Sequence, residues 1–247
     1  MIKINTIYNQ NCLDTLNMMY DSFLDLTITS PPYNVDLKYD VYADNVPYYE
    51  YLEELKSVFS EVYNKTKSGG RCIINIGDKN NGRVSLHSDI IQMMKNIGWL
   101  SFCCIIWNKN TTCNRAAWGS YLSPSCPSFP TPFEYILGFS KDNLKLSYKG
   151  ESDLLKEEFI SWTLPIWSFS GNSDRGIKHP APFPIELPTR CIKLFSWKNA
   201  IVYDPFMGSG TTAIACKNNN RNFIGSEISK EYYLSSLDRI NLRSKDI

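Results

Sequence analysis

The sequence predicts an α/β protein with a doubly wound, mostly parallel sheet, and three observations carry that expectation. Apolar runs of strand length alternate with segments of helical periodicity through the first half of the chain. Near the other end, a strand from Ala200 finishes in the glycine turn Gly208-Ser209-Gly210, which opens a helix at Thr211, and the next strand is tipped by Glu227. Only roughly 20 residues follow Glu227, too few for a domain, so this half must complete a sheet begun by the N-terminal half.

In order, Ile2 to Ile7 reads as a short strand, Asn9-Gln10-Asn11 as a turn and Leu13 to Met19 as a short helix. Leu24 to Ile28 is a buried strand that stops at two prolines. The polar, tyrosine-rich stretch after Asn34 (Asp36, Lys38, Tyr39, Asp40, Tyr42, Asp44) suits a lid. Tyr48 to Lys65 spaces Tyr51, Leu52, Leu55, Val58, Phe59 and Val62 as one helical face and stops at Ser68-Gly69-Gly70. Arg71 to Ile76 is a strand, Leu86 to Ile97 a helix ended by Gly98, and Phe102 to Trp107 another strand; this alternation implies parallel pairing with right-handed crossovers. Periodicity lapses from Asn108 to Pro132, resumes as a strand at Phe133 to Phe139, and lapses again from Lys141 to Lys178. Ile185 to Phe195 is helical, Thr211 to Cys216 is the helix after the glycine turn, Asn222 to Gly225 is a strand, and Lys230 to Leu242 closes the chain as a helix.

A chain of 247 residues supports one large domain, here 1–247, with a variable recognition region expected within 108–178. The eight cysteines are scattered without a Cys-x-x-Cys, and there are two histidines, so reduced thiols are expected and metal binding is not. No window has the roughly 18 to 20 apolar residues of a membrane span and no signal-peptide pattern opens the chain, which points to a cytoplasmic location. A net charge of +1 means that any nucleic-acid partner must be met by local positive charge.

Two stretches carry chemistry. In Thr29-Ser30-Pro31-Pro32-Tyr33-Asn34 the prolines hold Ser30 and Pro31 extended, with carbonyls that a planar amine stacked on Tyr33 could reach. In Asp204-Pro205-Phe206-Met207-Gly208-Ser209-Gly210-Thr211 the glycines permit close backbone approach at a helix N-terminus, and Glu227 is placed to hold ribose hydroxyls. The lysine of a phosphate-binding loop is missing. Asp204 beside the loop suits a ligand with a cationic amine, and a nucleoside carrying an amino acid, S-adenosyl-L-methionine, meets both requirements. If the strands from Leu24 and Ala200 lie side by side, both motifs face one crevice at strand C-termini.

These motifs resemble those of the β class of DNA amino-methyltransferases, in which the target-base motif precedes the cofactor loop, and the resemblance spans nearly the whole chain. It implies a Rossmann-like fold of permuted motif order, the cofactor S-adenosyl-L-methionine, double-stranded DNA as partner and a setting in restriction–modification, where a cognate endonuclease could be encoded nearby. On it, Ser30, Pro31, Pro32 and Tyr33 form the catalytic motif; Asp204, Pro205, Phe206, Gly208, Gly210 and Thr211 form the cofactor loop; Glu227 is the ribose acid. His179 and Phe183, in Lys178-His-Pro-Ala-Pro-Phe-Pro184, match the motif that walls the methionine end, with His179 in a packing role. Asn11 and Cys12 match the N-terminal turn that holds adenine, although the family often has an aspartate where Asn11 stands.

The expected reaction flips a base into the crevice, stacks it on Tyr33 and uses Ser30 and the Pro31 carbonyl to accept its amine hydrogens, with no strong base required. A neutral serine in the motif favours cytosine N4 over adenine N6 on family resemblance. The rival readings are an RNA- or protein-methylating enzyme of the same fold and a cofactor-binding specificity subunit without turnover.

Overall fold

The computed structural model describes residues 2–34, 45–110, 119–171 and 182–242. The elements run β1 (Thr6–Tyr8), α1 (Cys12–Asn17), β2 (Leu24–Thr29), α2 (Tyr48–Lys65), β3 (Thr66–Ile76), α3 (Leu86–Ile97), β4 (Leu100–Asn108), β5 (Phe133–Ser140), α4 (Lys156–Trp162), β6 (Ile166–Ser168), α5 (Glu186–Phe195), β7 (Ile201–Asp204), α6 (Thr211–Asn218), β8 (Asn222–Ser226) and α7 (Lys230–Leu242). Among the described residues one sheet takes the order β1-β8-β7-β2-β3-β5-β4-β6.

Every residue of β2 is buried, as expected of a strand covered on both faces. Along β3, Cys72 and Ile74 join the core beneath α1, α2 and α3, whereas Ile73 joins the core beneath α5 and α6; the alternation of side chains across a pleated strand produces the two layers. Parallel pairing of β2 with β7, Leu26 opposite Val202 and Thr27 opposite Tyr203, joins the two halves of the chain. Asp25 anchors the start of that junction: its buried carboxylate accepts from Lys67 Nζ at 2.6 Å, Tyr148 Oη at 2.5 Å and the Ile201 N–H at 2.7 Å.

The expected junction of the two halves and the α/β class are both present. The pairing beyond β3 differs from expectation. β4 does not pair with β3; β5 lies between them, antiparallel to both. After β4 the chain returns antiparallel as β5, and the described residues between them, 109–110 and 119–132, hold no crossover helix; the mixed-polarity sequence there leaves no periodicity from which that return can be read. The segment expected to be irregular holds α4 and β6, whose few residues give too short a pattern to show a period. β1 starts later than Ile2, and β3 starts at Thr66, running through Gly69 and Gly70 with a register shift between Leu24 and Leu26 on its partner. The proposed lid lies in 35–44, outside the described residues.

Candidate active site

The C-terminal ends of β2, β7, β8 and β3 and the N-terminal end of β5 meet at one edge of the sheet. Because β2 and β7 are neighbours in register, their last residues touch: Thr29 Oγ1 donates to Asp204 Oδ1 at 2.7 Å. Thr212 Oγ1 donates to Asp204 Oδ2 at 2.6 Å and the Phe206 N–H to Oδ1 at 3.0 Å. The carboxylate is 1% exposed, and burial pushes its pKa up to about 6 against the lowering effect of these hydrogen bonds. Asp204 therefore stands behind the loop and fixes its shape.

Pro205, Gly208, Gly210 and Thr211 are buried and Phe206 half-buried. Gly208 (φ +53°) and Gly210 (φ +80°) occupy the left-handed region, which a side chain makes costly. At Gly210 a Cβ would also meet Ser236 Cβ of α7 at 2.9 Å, so the turn and the docking of the last helix both need glycine there. The Gly208 N–H donates to Glu227 Oε2 at 2.7 Å and the Ser229 N–H to Oε1 at 2.8 Å, closing the loop onto the tip of β8. Burial, and less strongly the Asp204 charge, raises the pKa of Glu227.

The N-terminal turn reaches the same tip. Asn9 Nδ2 donates to the Glu227 carbonyl at 2.8 Å, a clamp that sequence reasoning passed over. Asn11 caps α1, its Oδ1 accepting from the Leu13 N–H at 2.9 Å, and the buried Cys12 offers its carbonyl to Tyr203 Oη at 3.3 Å. Burial pushes the Cys12 thiol up to about 11, so it is a packing residue rather than a nucleophile.

After β2 the Ser30–Asn34 stretch, expected to be catalytic, is braced from two sides. Tyr51 Oη of α2 donates to the Pro32 carbonyl at 2.8 Å, and Asn34 Nδ2 to the Val46 carbonyl at 2.9 Å. Ser30 Oγ lies 3.1 Å from Tyr33 Oη, which contacts Glu134 Oε2 at 3.1 Å and Asn75 Nδ2 at 2.9 Å. Burial first, and then the Glu134 charge, hold the Tyr33 hydroxyl well above its ordinary pKa, so it stays protonated. Asn75, Lys109 and Glu134 were not singled out from the sequence. The available signals were a polar residue in the apolar run Cys72 to Ile76 and a carboxylate opening β5 between Phe133 and Tyr135.

Ser30 to Tyr33, Asp204 to Thr211, Glu227, Asn11 and Cys12 are thus brought to one edge. Phe183 packs half-buried against the core that holds Leu26, Ile28 and Met207, and His179 lies outside the described residues. The donor set fits the expected cofactor: two desolvated carboxylates flank a tight glycine turn, and both have pKa values raised in the direction that a cationic ligand would reverse.

Comparison with known proteins agrees. The family model described as DNA methylase matches residues 24–238. The type II methyltransferase M.MjaVI of Methanocaldococcus jannaschii is 36% identical over 185 residues, which is 70% of this chain and 95% of that protein. The putative DNA modification methylase TTHA0409 of Thermus thermophilus, solved in complex with S-adenosyl-L-methionine, superposes with a TM-score of 0.75 at 28% identity, covering 96% of this chain and 94% of that one. The cytosine-N4-specific PvuII DNA methyltransferase shares the fold, with a TM-score of 0.74 at 21% identity and coverage of 95% and 85%. The chain belongs to the S-adenosyl-L-methionine-dependent N4/N6 amino-methyltransferase family of DNA methylases, in the β class of restriction–modification enzymes.

Proposed function

We propose that this DNA methyltransferase methylates the exocyclic amine of a base flipped out of double-stranded DNA, and that the base is cytosine, modified at N4. The reading is carried by one observation: Thr29, immediately before Ser30-Pro-Pro-Tyr33, is hydrogen-bonded to the Asp204 of the cofactor loop, which joins the base motif and the glycine turn at one strand edge.

S-adenosyl-L-methionine, when bound, supplies an electrophilic methyl group. Gly208, Gly210 and Thr211 form the turn against which it would lie, Glu227 offers its remaining lone pairs to ribose hydroxyls, and Asp204 places negative charge behind the loop for the cationic amine. Asn11 and Cys12 border the adenine end and Phe183 the methionine end, to which the family resemblance also assigns His179, a residue outside the described ones. Tyr33 stacks the flipped base, a contact worth about 1–3 kcal/mol. Ser30 Oγ and the Pro31 carbonyl would accept the amine hydrogens and turn the nitrogen lone pair toward the methyl; the amine, cationic once its new N–C bond replaces the S–C bond, then gives one proton to a neighbouring oxygen or to water, and the neutral thioether is released. Most of the rate then comes from positioning. Residues 108–178, which include α4 and β6, are the region we assign to reading the DNA sequence.

Cytosine is preferred because the motif's first residue is Ser30, and a serine at that place resembles the N4-cytosine enzymes of the family, whereas an aspartate there resembles the N6-adenine enzymes. Incubation with unmodified DNA and labelled cofactor, followed by mass spectrometry of the nucleosides, tests the whole reading. N4-methylcytosine is expected. N6-methyladenine in its place overturns the choice of base, and label recovered in RNA or protein overturns DNA as the substrate.

A further inference from the structure

The contacts of Tyr33 determine where its proton goes. Its oxygen faces Asn75 Nδ2 at 2.9 Å, which donates. It also faces Glu134 Oε2 at 3.1 Å, a carboxylate bridged through its other oxygen to the Lys109 ammonium. Asn75 Nδ2 donates to that same Glu134 Oε2 at 2.7 Å, so the amide is oriented by two acceptors at once. A phenol has one proton and two lone pairs. With Asn75 donating in, the phenolic proton goes to Glu134; the Asn75 carbonyl, at 3.5 Å, is the poorer acceptor. The remaining Tyr33 lone pair takes the Ser30 hydroxyl proton at 3.1 Å. Ser30 is then left with lone pairs and no spare proton.

We propose that Glu134 is a positioning residue for methyl transfer: held by Lys109, it sets the direction of the Ser30–Tyr33–Glu134 hydrogen-bond chain, so that Ser30 meets the target amine as an acceptor. The inference rests on the reading above, in which Ser30 receives the amine. The surroundings of Glu134 fit the role. Lys109 follows β4, Asn75 lies in β3 and Tyr33 follows β2, so three strands hold one carboxylate whose side chain is 13% exposed. At Gly77 a Cβ would press on Glu134 Cγ and Tyr33 Cε2, both at 3.3 Å, and the bare backbone there keeps the two side chains together.

Glu134→Gln tests it, because the amide keeps the shape and changes the donors. Lys109 can be faced only by the amide oxygen, which turns the NH2 toward Tyr33 Oη and Asn75 Nδ2; the carboxylate oxygen that drew the phenolic proton is gone, and the direction of the Ser30–Tyr33 bond is no longer enforced. The expected loss is about 100-fold in kcat, with KM for DNA and cofactor within about threefold of wild type. Lys109→Met added to Glu134→Gln frees the amide to turn its oxygen back to Tyr33 and is expected to regain about tenfold in kcat. In a Tyr33→Phe background, which lacks the middle of the chain, Glu134→Gln is expected to cost nothing further. Glu134→Asp keeps an acceptor and is expected to be faster than Glu134→Gln, which gives a second reading should the glutamine variant not fold. An active wild type with a full-rate Glu134→Gln, no recovery in the Lys109→Met double variant, or losses that multiply with Tyr33→Phe overturns the proposal alone. A wild type that methylates no DNA overturns the functional reading and this inference with it.

Discussion

Thr29 Oγ1 and Asp204 Oδ1 stand 2.7 Å apart although 175 residues separate them in the chain. The bond exists because β2 and β7 are parallel neighbours, and it transmits the position of the cofactor loop to the residue that precedes Ser30. Both partners are buried, so neither has water as an alternative.

Thr29→Val keeps the shape and removes the donor. It should destabilise the protein by about 1–3 kcal/mol, because the buried carboxylate loses a hydrogen bond. Urea unfolding with fluorescence detection measures this, and calorimetry should show weakened cofactor binding in the same variant. Wild-type values for both would mean that the two motifs are not coupled through this bond.

The raised pKa of Asp204 gives a signed pH dependence. Between its unfolded value, 3.8, and about 6, the folded protein retains a proton that the unfolded chain has lost, so stability declines as pH rises through this window. The full penalty, up to about 3 kcal/mol, is present above about pH 7. Asp204→Asn lacks it. The stability of Asp204→Asn relative to wild type should therefore increase between about pH 4 and pH 7, while its cofactor affinity falls. A flat difference across that range would contradict the assigned shift.

Gly208→Val places a β-branched side chain at φ +53° and beside the N–H that Glu227 accepts. Cofactor affinity should fall by at least about tenfold, with stability lowered by about 1–2 kcal/mol. Isothermal titration of the folded variant decides the matter, and unchanged affinity would remove the turn from the cofactor site.

On the proposed reading, Tyr33 has two separable roles. Tyr33→Ala should lose most turnover while keeping cofactor affinity, since about 1–3 kcal/mol of base stacking disappears. Tyr33→Phe retains the ring and loses only the hydrogen-bond chain, so it should keep DNA affinity and be slow in kcat. Single-turnover kinetics on a short duplex, compared with its binding, separates the two.

The sequence by itself determined the two motifs, the cofactor class and the α/β layering, because each is written in local physics. Pro31 and Pro32 stop a strand, Gly208 and Gly210 permit a turn that other residues resist, and strand and helix periods differ. Adjacency of β2 and β7 was also legible, from the shortage of chain after Glu227. What only the tertiary structure decided is where non-local partners come from. β5 sits antiparallel between β3 and β4, and the sequence between β4 and β5 has no period from which that return could be read. That insertion carries Glu134 to Tyr33 and Asn75, across 101 and 59 residues of sequence. Likewise, Asp204 reads from sequence as a free counter-charge, yet folding surrounds it with Thr29, Thr212 and the Phe206 N–H. Hydrogen bonds between side chains depend on register and strand order, and neither is encoded in the neighbouring residues of the chain.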